Sequence, residues 1–277
     1  VSGFQRDLIF DIGYHRGEDS AYYLAKGYRV VAFEADPDLA EAGRRRFASE
    51  MEAGRFILVE GAVAPPGSVE VCLFYRNLDR TTWGTLDADR ARRNAAYGKR
   101  SQPVSVRMVD LSKVIDEYGV PYYAKTDIEG ADQVALDALL GRSVVPKYIS
   151  WESDKLSLDT VAAELDLLRE AGFDRFQVVQ QLFIPGHQAR ESTLAGTPLT
   201  YRFPDGASGP FGEDLGGDWL DRDQALARYR TIFRDYQRWG DASLARRILT
   251  EKVLDRVARL TRVALPGWFD THARWAG

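Results

Sequence analysis

A single cysteine, Cys72, occurs in 277 residues. One thiol excludes a disulfide framework within the chain and a cysteine-rich zinc site. Lying inside the apolar run Val69–Tyr75, it reads as a buried strand residue and not as a nucleophile. No uninterrupted apolar run approaches the ~20 residues of a membrane span, so no membrane association is expected. A surplus of positive charge is also missing. Lys and Arg number 37 against 41 Asp and Glu, a formal net charge of −4. Domains that bind nucleic acid usually carry a basic excess, so no nucleic-acid partner is expected. No secretory leader is read, and the expected location is cytoplasmic. Internal repeats and low-complexity segments are lacking too.

The composition that remains, 45% hydrophobic and 28% charged, belongs to a folded globular chain. Its length suits one large domain, or a core with an appended element. Strand and helix signals alternate from the start. Leu8–Ile12 is an apolar strand, Glu18–Lys26 a helix closed by Gly27, Arg29–Phe33 a β-branched strand ending at Glu34. Asp36-Pro37 opens a helix running to about Glu52, and Phe56–Val59 is a third strand. This alternation implies a parallel sheet with right-handed crossovers. Further strands are expected at Val69–Tyr75, Val104–Val109, Tyr122–Ile128, Lys147–Trp151 and Phe176–Gln181, with helices at Leu111–Tyr118, Ala131–Leu140 and Asp159–Ala171. Residues 77–102 read as a loop and short helix over the site. The expected fold is therefore a doubly wound, mostly parallel, seven-stranded Rossmann-like α/β sheet over residues 1–185. A glycine- and proline-rich segment, a candidate lid, follows at 186–220. A C-terminal helical extension occupies 221–277, a candidate surface for homo-oligomer contacts.

In open α/β sheets ligands bind beyond the carboxyl ends of the strands. Here those ends carry Asp11-Ile12-Gly13-Tyr14-His15-Arg16-Gly17, then Glu34-Ala35, then Glu60-Gly61-Ala62. Gly13 and Gly17 let the backbone approach a ligand, with Tyr14 between them. Glu34 is placed to accept hydrogen bonds from both hydroxyls of a ribose. Such charge-assisted bonds contribute about 1.5–3 kcal/mol. A pyrophosphate cofactor normally asks for Gly-x-Gly-x-x-Gly. This turn has bulky residues between its two glycines, and Glu18 and Asp19 would repel phosphate. A sulfonium with a free ammonium suits the turn better, and Asp11 can face that positive region. Gly61 and Ala62 complete the expected nucleoside site.

The stretches from Asp11 to Tyr28 and Val30-Val31-Ala32-Phe33-Glu34-Ala35-Asp36-Pro37 resemble the first motif of the FkbM family of methyltransferases. Tyr123-Ala124-Lys125-Thr126-Asp127-Ile128-Glu129-Gly130-Ala131-Asp132 resembles that family's second hallmark, Lys-x-Asp-x-Glu-Gly. Tyr148-Ile149-Ser150-Trp151-Glu152 resembles its next strand. The resemblance covers about residues 8–180. It implies S-adenosylmethionine as methyl donor and a hydroxyl acceptor, often on a sugar or natural product. The C-terminal third carries no matching motif.

Methyl transfer to a hydroxyl requires in-line alignment and removal of a proton. Asp127 and Glu152 end two neighbouring strands and are candidates for the active site. Their hard oxygen ligands would suit Mg²⁺; the alternative is a structural role, Asp127 capping the next helix. Lys125 shares a face with Asp127 and can pair with it or with Glu152. His15 lies in the glycine turn and is a candidate proton acceptor. His187 is a weaker candidate, and His272 reads as a surface residue. Trp83 and Trp151 are candidates for a sugar platform, packing being the commoner role of tryptophan. The leading expectation is an S-adenosylmethionine-dependent O-methyltransferase acting on a carbohydrate or glycosylated natural product. Two alternatives stay open at this point: a nucleotide-sugar or nicotinamide-dependent enzyme, and a non-catalytic nucleotide-binding scaffold.

Overall fold

A computed structural model describes residues 3–96, 98–128, 131–153, 157–239 and 268–277. The first half alternates as the apolar runs and caps dictate. β1 (Phe4–Ile12) leads to α1 (Glu18–Ala25), β2 (Arg29–Glu34), α2 (Pro37–Arg46), α3 (Ala48–Glu52) and β3 (Phe56–Glu60). Asp36 caps α2 by accepting a hydrogen bond from the Asp38 N–H, and Pro37 occupies the first turn. The expected single helix over 37–52 is broken at Phe47. That residue leaves helical geometry and buries its ring between Tyr14 and Phe56.

An excursion follows, made of β4 (Ala62–Ala64), β5 (Val71–Asn77), α4 (Ala88–Ala96) and β6 (Ser101–Asp110). It forms a three-stranded sheet ordered β4-β6-β5. Val69, Val71 and Leu73 are exposed there, and Cys72 is only partly buried. The apolar run on β5 therefore marks a partly solvated strand, where a fully buried one was expected. The chain then returns through α5 (Leu111–Tyr118), β7 (Val120–Thr126), α6 (Asp132–Leu140), β8 (Tyr148–Glu152), α7 (Leu158–Glu170) and β9 (Phe173–Gln180). A hairpin of β10 (Gln188–Ser192) and β11 (Pro198–Arg202), helix α8 (Arg222–Trp239) and β12 (Phe269–Trp275) complete it. Among the described residues no helix is long and apolar enough to cross a membrane.

The main sheet has seven strands, ordered β3-β2-β1-β7-β8-β12-β9. From β3 to β8 all neighbours are parallel, whereas β12 runs antiparallel to both β8 and β9. The order switches direction between β1 and β7, and the crevice at such a switch point is where ligands bind. Strand alternation sorts the side chains onto two faces. Leu8, Phe10, Ile12, Val31, Phe33 and Ala124 bury one face together with residues of α5, α6, α7 and α8. Ile9, Val30, Ala32 and Tyr123 bury the other against the tyrosines of α1. Asp11, Glu34 and Lys125 follow that second alternation, so their side chains leave the sheet on the α1 side.

The C-terminal third differs from the sequence expectation. Helix α8 does form, but Ala225, Leu226, Tyr229 and Ile232 pack into the main core and not outward. Residues 240–267, expected to continue that helical extension, lie outside the described residues, as do Glu129, Gly130 and Asp154. The chain ends in β12, a strand inside the sheet. His272, expected at the surface, is 2% exposed and stacks on Tyr123. Burial pushes its pKa down to about 3. Segment 186–220 holds a hairpin and a packed stretch in place of a loose lid. Phe211 stacks on Tyr123 at 4.4 Å, and Phe203 packs edge-on against Tyr22. Lys26, buried among these rings, bonds to Glu191 at 2.8 Å and to Asp214 at 2.5 Å.

Candidate functional site

The carboxyl ends of β1, β2, β3 and β7 open into one cleft of about 920 Å³, its open mouth included. Its walls contain Gly13, Tyr14, His15, Glu34, Ala35, Gly61, Ala62, Lys125 and Asp127. Other residues singled out in the sequence are not in the wall. Asp11 lies fully buried beneath the floor. Gly17 is the left-handed N-cap of α1, and a side chain there would run into the Tyr14 ring. Glu152 is level with Asp127 on the next strand and pairs in register with Asp270, outside the cleft lining. Trp151 is core, its indole N–H donating to Glu164 at 3.0 Å. Trp83 and His187 do not line the cleft either.

Gly13 is fixed by close approach. Its φ is 104°, and a Cβ would stand 2.0 Å from the Asp127 carbonyl oxygen. Any side chain would push β1 and β7 apart at the switch point. The turn then reverses over β2: the N–H groups of Gly13 and Tyr14 both donate to the Phe33 carbonyl. His15 takes a left-handed conformation, φ 53°, which aims its backbone N–H at Glu34.

Glu34 is held by that turn. Its Oε2 accepts from the His15 N–H at 2.7 Å, and its Oε1 accepts from the Asp36 N–H at 2.7 Å. Each oxygen keeps further lone pairs for a ligand in the cleft. The side chain is 8% exposed. Burial raises its pKa to about 8, against the opposing pull of the two backbone donors.

Beneath the opposite end of the cleft lies a cluster of charge. Lys125 Nζ stands 3.3 Å from Asp19, 3.4 Å from Asp127 and 3.8 Å from Asp11. Asp11 also accepts a hydrogen bond from Ser20 at 2.6 Å, and Asp19 one from the Ser208 N–H at 2.8 Å. Burial would lower the Lys125 pKa, but Asp127, Asp19 and Asp11 outweigh it and hold the ammonium charged. Burial lifts Asp11 to about 7 and raises Asp19 as well. One lysine among three carboxylates leaves an electronegative floor, which favours a cationic ligand group.

A magnesium ion on Asp127 and Glu152 does not fit these residues. The Lys125 ammonium already neutralises Asp127. Among the described residues no three His, Cys, Asp or Glu side chains stand together as metal ligands.

Residues 77–102, expected as a loop and short helix over the site, supply much of the roof of the cleft. Phe74, Thr81, Thr82, Gly84, Thr85 and Leu86 of the β5–β6 excursion, with Leu39 of α2, close it from above. Arg76, at the outer end of β5, ties this roof to Asp36 and Asp38. The side chain of His15 reaches up from the floor, its Nε2 2.7 Å from Thr81 Oγ1. Asp19 was missed as a lining residue. A signal for it existed: Asp19, Tyr22, Tyr23 and Lys26 share one helical face, and a carboxylate on a buried tyrosine stripe needs a buried partner.

The sequence pattern of the methyltransferase FkbM domain matches residues 11–175. No curated protein matches the chain in sequence. Solved structures that resemble it include precorrin-6y C5,15-methyltransferase from Geobacter metallireducens GS-15, 15% identical, with 72% of this chain and 77% of that one covered and a TM-score of 0.34. Methyltransferase FkbM from Methylobacillus flagellatus KT is 16% identical over 72% of this chain and 44% of that one, with a TM-score of 0.36. An O-methyltransferase from Bacillus cereus, solved with SAH, is 13% identical over 63% and 67%, with a TM-score of 0.37. The domain pattern runs from Asp11 at the end of β1 through Glu34, Gly61 and Asp127 to β9, more than half of the chain, and on that ground the chain belongs to the FkbM-domain methyltransferases.

Proposed function

We propose that the chain transfers a methyl group from S-adenosylmethionine to a hydroxyl of a carbohydrate or glycosylated natural product. The observation that carries this reading is Glu34. A carboxylate at the end of β2, fixed by two backbone N–H groups and facing the cleft, is built to receive the two hydroxyls of a ribose. Ala35, Leu39, Phe74, Ala62 and Leu86 would enclose the base beside it. The acidic floor around Lys125 favours a positively charged ligand end over a pyrophosphate. The turn between Gly13 and Gly17, filled by Tyr14 and His15, offers no phosphate cradle, which speaks against a nicotinamide or nucleotide-sugar cofactor.

Bound in this way, S-adenosylmethionine would supply an electrophilic methyl carbon on a positively charged sulfur. The chain's own residues would do the rest. Gly13 and Asp127, pressed together at the switch point, would set the line of approach, and such alignment can account for ~7–11 kcal/mol of a barrier. Asp127, 46% exposed in its side chain and lining the cleft, would accept the proton of the acceptor hydroxyl as its oxygen bonds to the methyl carbon. The carbon–sulfur bond breaks with its electron pair going to sulfur, so charge and atoms balance. Lys125 would hold Asp127 in place. The test is incubation of the full chain with isotope-labelled donor and a panel of free and glycosidic sugars, followed by mass spectrometry. A labelled methyl ether on a sugar hydroxyl is expected. Label appearing only on nitrogen or carbon acceptors would overturn the oxygen-acceptor assignment.

A further inference from the structure

The cleft has a roof, and one end of that roof is attached to the core by little. The strands of the β5–β6 excursion are anchored to the core at both ends. Arg76 bridges to Asp36 at 2.5 Å and to Asp38 at 2.5 Å. Gly61 lies so close to β6 that a Cβ would stand 2.7 Å from the Arg107 carbonyl. Beyond Arg76 and Asn77 the roof loop is held mainly to its own strands. Tyr75 and Thr85 exchange backbone hydrogen bonds, and the Asn77 side chain accepts from the N–H groups of Asp79 and Arg80. Arg80 lies over the Trp83 ring at 5.1 Å.

At the tip, Thr81 reaches across the cleft to the glycine turn. Its hydroxyl is 2.7 Å from His15 Nε2 and accepts from Arg16 Nη2 at 3.4 Å. On the other side of the imidazole, Nδ1 stands 3.8 Å from Glu18 Oε2. One arrangement satisfies all three contacts at once: the Nδ1 proton faces Glu18, Nε2 accepts the Thr81 hydroxyl proton, and the Thr81 oxygen accepts from Arg16. The residue that makes this bridge is the same one whose strained backbone donates to Glu34. His15 thus joins the floor carboxylate to the roof through a single residue.

We propose that the His15–Thr81 hydrogen bond is the latch that closes the β5–β6 excursion over the cleft, so that its opening gates donor entry and product release. His15 is then a positioning residue and not the proton acceptor, because its Nε2 is occupied by Thr81. The inference rests on the donor reading above for the identity of the ligand, but the latch exists in the free protein as well. Closure by loops of this kind often limits turnover through product release. Losing the His15–Thr81 hydrogen bond, which exists only in the closed form, should speed opening by about 2- to 12-fold, the long, exposed Arg16 contact adding little.

Two variants separate a latch from a packing role. Thr81→Val keeps the shape and removes the hydroxyl; Thr81→Ser keeps the hydroxyl. Two readouts are taken on the full chain: amide hydrogen exchange of residues 78–86 without ligand, and the dissociation rate of S-adenosylhomocysteine by surface plasmon resonance. Thr81→Val is expected to speed exchange in 78–86, with β1, β2 and β7 unchanged, and to speed dissociation by about 2- to 12-fold. Thr81→Ser is expected to match wild type in both. Unchanged exchange in Thr81→Val, or equal effects of Val and Ser, would overturn the latch. If wild type does not bind S-adenosylhomocysteine, the donor reading falls, and the exchange experiment alone decides the latch.

Discussion

The raised pKa of Glu34 makes donor binding a proton-linked event. The carboxyl is 8% exposed and burial brings its pKa to about 8. The ionised form accepts strong, charge-assisted hydrogen bonds at both oxygens, whereas the neutral acid carries a proton on one of them. At pH 7 about one carboxyl in ten is ionised in the free protein, and binding must release the proton from the rest. The sign follows from this. Affinity should rise with pH, by about tenfold between pH 7 and pH 9, and level off above pH 8. Calorimetric titration with S-adenosylhomocysteine at several pH values, in buffers of different ionisation heat, reads both the slope and the released proton. Glu34→Gln removes this titrating group and should reduce the slope to the part that buried Asp11, raised to about 7, contributes. At pH 9, where wild type is ionised, Glu34→Ala should cost about 1.5–3 kcal/mol. A wild-type affinity that is flat from pH 6.5 to 9, or a Glu34→Gln variant that keeps the slope, would refute the reasoning.

Three further outcomes are expected. Gly13→Ala forces a Cβ to within 2.0 Å of the Asp127 carbonyl at φ 104°; thermal melting should show a large loss of stability, and a melting temperature equal to wild type would contradict the switch-point contact. Lys125→Met leaves Asp11 and Asp19 buried without their cation, and should cost about 3–5 kcal/mol in denaturant unfolding; the effect should shrink at low pH, where both carboxyls are protonated, and a pH-independent cost would argue against the pairing. Asp127→Asn should lower kcat by about 10²–10⁴-fold with little change in donor affinity, while chelation leaves wild-type activity intact. Loss of activity with a chelator, restored by magnesium, would reinstate a metal.

The β1–α1–β2 unit was legible in the sequence because each part carries its own chemistry. Apolar strands end in glycine, Asp36 caps a helix opened by Pro37, and Glu34 falls at a strand end where no buried carboxylate belongs without a task. The β7 end was legible through Lys125 and Asp127, two residues apart and hence on one face. β12 was hidden because Phe269-Asp270-Thr271-His272-Ala273-Arg274-Trp275 looks like a surface tail. Its Asp270 and His272 are buried only because β8 and β9 lie on either side of it. The stretch from Pro204 to Gly212 reads as turn chemistry within the glycine- and proline-rich segment, and Ala207, Ser208 and Phe211 are buried there, with Ser208 bonded to Asp19 of α1. Local turn chemistry carries no information about which helix will cover a turn. The roof's place over the site was legible, but its contact with the floor was not: Thr81 gains meaning only from His15, 66 residues away.

The most direct test of the account is titration of the full chain with S-adenosylhomocysteine and, separately, with NAD, on wild type and on Glu34→Ala. The account predicts saturable binding of the first, none of the second, and a weakened first titration in the variant. Binding of NAD in its place, or a variant that binds S-adenosylhomocysteine as tightly as wild type at pH 9, would contradict it.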